Sequence, residues 1–217
     1  MGLDKELADF NAKFEASAPP SAAAFLNSKI EELTIGFPFD HVLKPGDLAP
    51  EFRLPRATGE NISLLETLAS GPVVLSFYRG AWCPYCNIQL AAYERALPAI
   101  ADTGACLIAI SPQRPDGSLS MTEKNNLTFD VLSDIGNVVA REFGLVYKMP
   151  DDLKARYSSF GVDLAEINGD GSWELPIPAT FVIGRNGRVQ LVHAEADYRK
   201  RLSPEVIVDA LRAVEAA

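Results

Sequence analysis

The chain has 217 residues, 47% apolar and 23% charged, enough for one packed domain with a short extension. Its 29 acidic against 20 basic residues give a net charge of −9, which repels phosphate backbones and excludes nucleic acid as an expected partner. No run approaches the roughly 20 apolar residues that span a bilayer. The acidic, amphipathic start Met1-Gly-Leu-Asp-Lys-Glu6 also lacks the regions of a secretory signal, so a cytoplasmic protein without membrane contact is expected.

Residues 1–45 are expected to form a helical arm. Leu3, Leu7, Phe10 and Phe14 recur at steps of four, three and four, which places them on one helical face. Pro19-Pro20 breaks that helix. Phe25, Leu26, Ile30 and Leu33 mark a second helix, stopped by Gly36 and Pro38. Two amphipathic helices need an apolar surface to cover, on their own domain or on a second subunit of a homodimer.

Residues 46–217 read as one further domain. Short strands are expected at 51–54 and 61–63, about the turn Ala57-Thr-Gly-Glu60. Val73 to Tyr78 is a continuous apolar run, the pattern of a strand buried on both faces. A helix over Asn87–Ala101, kinked by Pro98, and a strand over Ala105–Ile110 complete a βαβ unit, whose strands should be parallel. Helices near 116–126 and 137–143 bracket a strand at 130–133. Within 145–176 the signals are a helix over Asp151–Phe160 and a turn at Asn168-Gly-Asp-Gly171. Strands Thr180–Ile183 and Val189–Val192 flank Gly184-Arg-Asn-Gly187, a hairpin pattern. Ser203-Pro204-Glu205 opens the last helix with an N-cap serine and a proline at the first helical position. Val206, Ile207, Ala210 and Leu211 give that helix an apolar side. The order βαβ, connector, ββα implies an α/β, thioredoxin-like fold with a central mixed sheet flanked by helices.

The chemistry concentrates at Tyr78-Arg-Gly-Ala-Trp-Cys-Pro-Tyr-Cys86. Cys83 and Cys86 fall where the first parallel strand stops and a helix starts, with Gly80 and Pro84 marking the turn. Open α/β sheets place ligands there. Backbone N–H groups and the helix dipole favour an anion at a helix start, and a thiol in a C-x-x-C site there can ionise at about pH 3.5–7.5. Cys83 is therefore expected to be ionised, with Cys86, one turn on, shielded and able to attack a mixed disulfide at Cys83. Arg79 would favour the thiolate or hold a substrate oxygen, and Trp82 would cover the site. A zinc site needs about four ligands from two clusters, whereas one C-x-x-C stands here with only His41 and His193. No metal is expected. Cys106, inside a buried strand, reads as a small core residue.

These residues carry a family resemblance. Phe77-Tyr-Arg-Gly-Ala-Trp-Cys-Pro-Tyr-Cys86, Pro45-Gly-Asp-Leu-Ala-Pro-Glu-Phe52, Leu132-Ser-Asp134, Phe143-Gly144 and Pro178-Ala-Thr-Phe-Val-Ile183 are similar to segments of the alkyl hydroperoxide reductase/thiol-specific antioxidant (AhpC/TSA) family. This is the peroxiredoxin-like branch of the thioredoxin superfamily. The resemblance implies an antioxidant thiol peroxidase for hydrogen peroxide or organic hydroperoxides, without metal or organic cofactor. It implies a Cys83/Cys86 dithiol–disulfide cycle, recycled by a thioredoxin- or glutathione-type reductant. It also implies a cis Pro178 opposite the cysteines, supported by Thr180 of the same segment. Two matches assign opposite roles. The peroxiredoxin spacing P-x-x-x-T-x-x-C puts Arg79 at the Pro, Cys83 at the Thr and Cys86 at the peroxidatic Cys. A thioredoxin-style match makes Cys83 the nucleophile. Pro178 also stands where peroxiredoxins carry a peroxide-binding Arg. That difference supports a second reading, a thiol–disulfide oxidoreductase acting on protein or glutathione disulfides. A third is a redox-sensing or binding module.

Overall fold

The computed structural model describes residues 2–215. It opens with helices α1 (Leu3–Ser17) and α2 (Pro20–Gly36), whose buried positions include Leu3, Leu7 and Ile30. A 3₁₀ turn at Phe39–His41 leads to an antiparallel pair, β1 (Arg53–Pro55) and β2 (Asn61–Ser63). Helix α3 (Leu64–Ser70) follows, an element the sequence reading did not anticipate. Its signal is Ser63-Leu-Leu-Glu66: Ser63 Oγ accepts from Glu66 N at 3.2 Å and caps the helix.

Strand β3 (Val73–Phe77), helix α4 (Pro84–Ala101) and strand β4 (Cys106–Ser111) form the parallel βαβ unit. Next come α5 (Pro115–Asn125), β5 (Asp130–Ser133) and α6 (Val138–Glu142). The stretch the sequence left mostly open holds β6 (Val146–Lys148), α7 (Asp151–Ser159), α8 (Leu164–Asn168) and β7 (Glu174–Pro176). The hairpin β8 (Ala179–Ile183) and β9 (Val189–Ala194) and the final helix α9 (Pro204–Glu215) complete the chain.

The central sheet runs β5-β4-β3-β8-β9, with β3, β4 and β5 parallel, β8 antiparallel to β3, and β9 antiparallel to β8. Side chains of β3 alternate between two cores, as strand geometry requires. Val74 joins Leu90, Tyr93, Ile207 and Leu211 beneath α4 and α9, a layer that α1 extends with Leu3 and Leu7. Val73, Leu75 and Phe77 face Leu64, Leu68, Val139 and Phe143 beneath α3 and α6.

The arm covers its own chain. Arg95 Nη2 of α4 donates to Glu6 Oε1 at 2.6 Å, and Tyr85 OH donates to Asn11 Oδ1 at 2.8 Å. Lys29 of α2 pairs with Asp152 of α7 at 2.7 Å, and Arg199 Nη1 donates to Asn27 Oδ1 at 2.7 Å. Helix α2 is thereby laid across the C-terminal end of β3, beside the cysteine loop.

Two expectations need correction. Helix α4 begins at Pro84 rather than Asn87, because Cys86 N and Asn87 N already donate to Cys83 O at 3.1 Å. Both cysteines are thus part of the helix start. No peptide bond among the described residues is cis, so Ile177–Pro178 is trans. The chain runs extended there: Ile177 N donates to Leu145 O at 2.9 Å, and Pro178 O accepts from Glu195 N at 3.1 Å.

Candidate active site

Strand β3 hands the chain to the sulfurs in a few steps. Tyr78 N still donates to Ile110 O at 2.9 Å, after which the backbone leaves the sheet. Gly80 has φ of 139°, and a Cβ there would overlap the Trp82 indole and crowd Gln113. Gln113 Oε1 accepts from Ala81 N, which ties the loop to the end of β4. Cys83 then caps α4, its N–H donating to Gly80 O at 3.1 Å, with the half-exposed turn closed by Pro84 at the first helical position. Asn87 Nδ2 donates to both Ala81 O and Cys83 O at 2.8 Å. Because both conformation and packing demand glycine, Gly80→Ala is expected to lower the melting temperature by about 3–10 °C in calorimetry.

Cys83 and Cys86 are 1% and 0% exposed, and all three cysteines are free thiols. Burial alone would raise the Cys86 thiol. The hydrogen bond with Cys83 and the charges of Arg201 and Arg79 outweigh it and bring Cys86 down to about 5. Cys83 moves the other way, pushed well up by burial and by the negative sulfur it hydrogen-bonds. The direction of these shifts favours the thiolate on Cys86, against the expectation of an ionised Cys83. The helix start favours a thiolate at either position, and a neighbouring guanidinium adds to that at Cys86.

That guanidinium is Arg201, which the sequence reading missed. It is 6% exposed, its Nη2 stands 3.5 Å from Cys86 Sγ, and its Nη1 donates to Lys200 O at 2.9 Å. Arg79 lies on the other side of the pair. It is 2% exposed, with Nη1 at 3.9 Å from Cys83 Sγ and Nη2 donating to Tyr157 OH at 2.7 Å. Its guanidinium stacks on the rings of Tyr198 and Trp82 at 4.2 and 4.8 Å. Among the described residues neither arginine has a carboxylate partner. An unpaired buried charge is costly, so two such cations strongly favour one sulfur as the counter-anion.

Thr180 does not bond either sulfur. Its hydroxyl meets Tyr93 OH at 3.1 Å, and Tyr93 OH donates to Leu202 O at 3.0 Å. That chain fixes the backbone next to Arg201. Pro178 is buried beside Tyr78, since Ala179 pairs with Phe77 across the sheet. Cys106 pairs with Val73 at the far end of β3, and burial pushes its thiol up to about 11. It is remote from the pair, as expected of a core residue.

A cavity of about 230 Å³ leads to Cys83. Arg79, Tyr157 and Tyr198 border its inner end, and Pro84 and the exposed Phe160 lie at its margin. A larger cleft of about 870 Å³ lies at the opposite end of the strands, around Ser70, Thr103 and Arg185, and holds no thiol. Among the described residues no group of three or more His, Cys, Asp or Glu side chains is placed to hold a metal, and no helix is long and apolar enough to cross a membrane.

The AhpC/TSA family profile matches residues 45–192, more than half of the chain. The chain belongs to the AhpC/TSA family. Peroxiredoxin Q, chloroplastic, of Gentiana triflora is 32% identical over 164 residues, which cover 76% of this chain and 63% of that one. Peroxiredoxin Bcp of Escherichia coli K12 is 32% identical over 103 residues, covering 48% and 65%. The chain thus spans less than two thirds of the length of these curated relatives. Among solved structures, peroxidoxin BcpB of Mycobacterium tuberculosis has a TM-score of 0.62 at 24% identity, covering 79% of this chain and 97% of that chain. Peroxiredoxin Q of Xanthomonas campestris has a TM-score of 0.55 at 18% identity, covering 76% and 90%. At these identities the likeness is one of fold. The AhpC/TSA match excludes α1 and α2 at one end and Tyr198 and Arg201 at the other, yet all four border the cysteine pair or its cavity.

Proposed function

We propose that the chain is a thiol peroxidase in which the Cys86 thiolate attacks a hydroperoxide and Cys83 resolves the product. One observation carries this reading: Cys86 Sγ sits in the first turn of α4 with Arg201 Nη2 at 3.5 Å, in the peroxidatic register of the family. Arg201 supplies beside Cys86 the positive charge that Pro178 cannot supply.

Cys86 S⁻ attacks the distal oxygen of R–O–O–H and the O–O bond breaks. The sulfur is oxidised to the sulfenic acid, and the alkoxide leaves with the electron pair. Cys83 S–H, close to Cys86, gives its proton to the alkoxide, releasing R–OH. The new Cys83 thiolate lies beside Arg79 Nη1 at 3.9 Å. It displaces hydroxide from the Cys86 sulfenic sulfur, forming the disulfide, and the hydroxide takes a solvent proton to become water. A thioredoxin- or glutathione-type reductant of a reducing compartment, such as the cytoplasm, returns two electrons. No cofactor enters the cycle.

The burial of both sulfurs weighs against a protein disulfide as the primary substrate. Parallel assays test this. Repeated turnover of hydrogen peroxide with dithiothreitol as donor is the expected result. Insulin disulfide reduction without peroxide consumption would overturn it in favour of disulfide exchange, and one equivalent of peroxide consumed without turnover would do so in favour of sensing.

A further inference from the structure

The cavity that reaches Cys83 has walls that the family match does not supply. Phe10 and Phe14 come from α1 and Leu26 from α2; Trp82, Phe160 and Val162 complete the apolar lining. The arm residues precede the matched stretch. They are held there by specific contacts: Phe10 packs edge-on against Tyr85 with ring centroids 5.0 Å apart, and Asn11 accepts from Tyr85 OH at 2.8 Å.

The inner end is polar. Cys83 lies there, and so does Arg79, whose buried Nε has no hydrogen-bond partner. A ligand for this space therefore has a long apolar part and one oxygen-rich end. Size narrows it further. Hydrogen peroxide is scarcely larger than a water, whose share of liquid volume is about 30 Å³, whereas an apolar cavity of about 150 Å³ takes a benzene ring. The present cavity, about 230 Å³, has room for such a ring together with a short branched chain.

We infer that the N-terminal arm is the specificity wall of the site, and that it selects among hydroperoxides those with a compact, branched or aromatic apolar body. This rests on the peroxidase reading and adds to it the residues that select among hydroperoxides. The O–O end enters beside Arg79 and Cys83, which line the inner end, and the Cys86 sulfur that attacks it lies behind them, outside the lining. The apolar body lies against Leu26, Phe14 and Phe160. Hydrogen peroxide lacks that body and gains nothing from those contacts.

The test compares kcat/KM for cumene hydroperoxide and for hydrogen peroxide. The ratio is expected to exceed about ten in the native chain, the discrimination of one to a few buried apolar groups. Leu26→Trp, which fills the cavity, and Phe14→Ala, which removes a wall, are each expected to lower that ratio by about tenfold. Ile35→Ser, on the exposed face of α2, should leave it unchanged. A ratio of one or below in the native chain, or ratios insensitive to both cavity variants, would overturn the inference. Binding of 2-phenyl-2-propanol, the alcohol product, is read separately by saturation-transfer NMR. It is expected in the native chain and lost in Leu26→Trp. Absence of turnover with either hydroperoxide would sink the peroxidase reading, and the alcohol would then decide the cavity alone: binding lost in Leu26→Trp supports it, and no binding overturns it.

Discussion

Cys86→Ser is expected to lower the rate constant for reaction with hydrogen peroxide by at least about a thousandfold, the scale on which removal of a nucleophile registers. A serine hydroxyl stays protonated in this setting, and burial, the largest cause, pushes the thiol of the remaining sulfur, Cys83, up. Cys83→Ser is expected to behave differently. It leaves Cys86 in place beside Arg201, and a serine hydroxyl can donate the same hydrogen bond. One equivalent of peroxide should therefore be consumed rapidly, after which turnover stops for want of a resolving thiol. Stopped-flow kinetics read the first step, and intact mass reads a single added oxygen on Cys83→Ser. Equal loss of the first step in both variants would contradict the assignment of roles.

Arg201→Gln carries the second large effect. An opposite charge within about 4–6 Å lowers an acid's pKa by about 1–3 units, and its removal should raise the Cys86 thiol from about 5 by a similar amount. The sign follows from the ionised form being the nucleophile. Below the new pKa most of the thiolate is lost, and above it the thiolate is restored. The deficit in rate against the native chain should thus be about two- to a hundredfold at pH 6 and shrink as pH approaches 9. Rates of iodoacetamide alkylation and of peroxide reaction, followed from pH 4 to 9, check this. An unshifted profile would mean that Arg201 does not set the charge on Cys86.

The same two residues mark where the sequence stops being legible. The strand Val73–Phe77, the hairpin about Gly184–Gly187 and the last helix were readable because each is a local pattern of apolar period and turn chemistry. So was the place of the cysteines, since an apolar run followed by Gly80 and Pro84 marks a strand end and a helix start. The pairing of β6 with β7 was not, for three residues at each end of a long connector carry no period. Arg201 lies 115 residues from Cys86 and Tyr157 lies 78 from Arg79. In the sequence, Arg199-Lys-Arg201 has the look of a solvated basic run, and only folding buries its last member. The charge order of the two thiols depends on the same kind of contact: position in a helix is local, whereas burial and a guanidinium from a distant segment are not. The arm helices were legible, but the surface they cover became clear only from Tyr85, Arg95 and Asp152.

The central claim, a resting thiolate on Cys86, is most directly tested by its ultraviolet absorbance near 240 nm as pH is varied. A thiolate signal should be present at pH 7, disappear as pH falls through about 5, persist in Cys83→Ser and be absent at pH 7 from Cys86→Ser. A signal that vanishes with Cys83 and survives without Cys86, or no thiolate below pH 8 in the native chain, would contradict it.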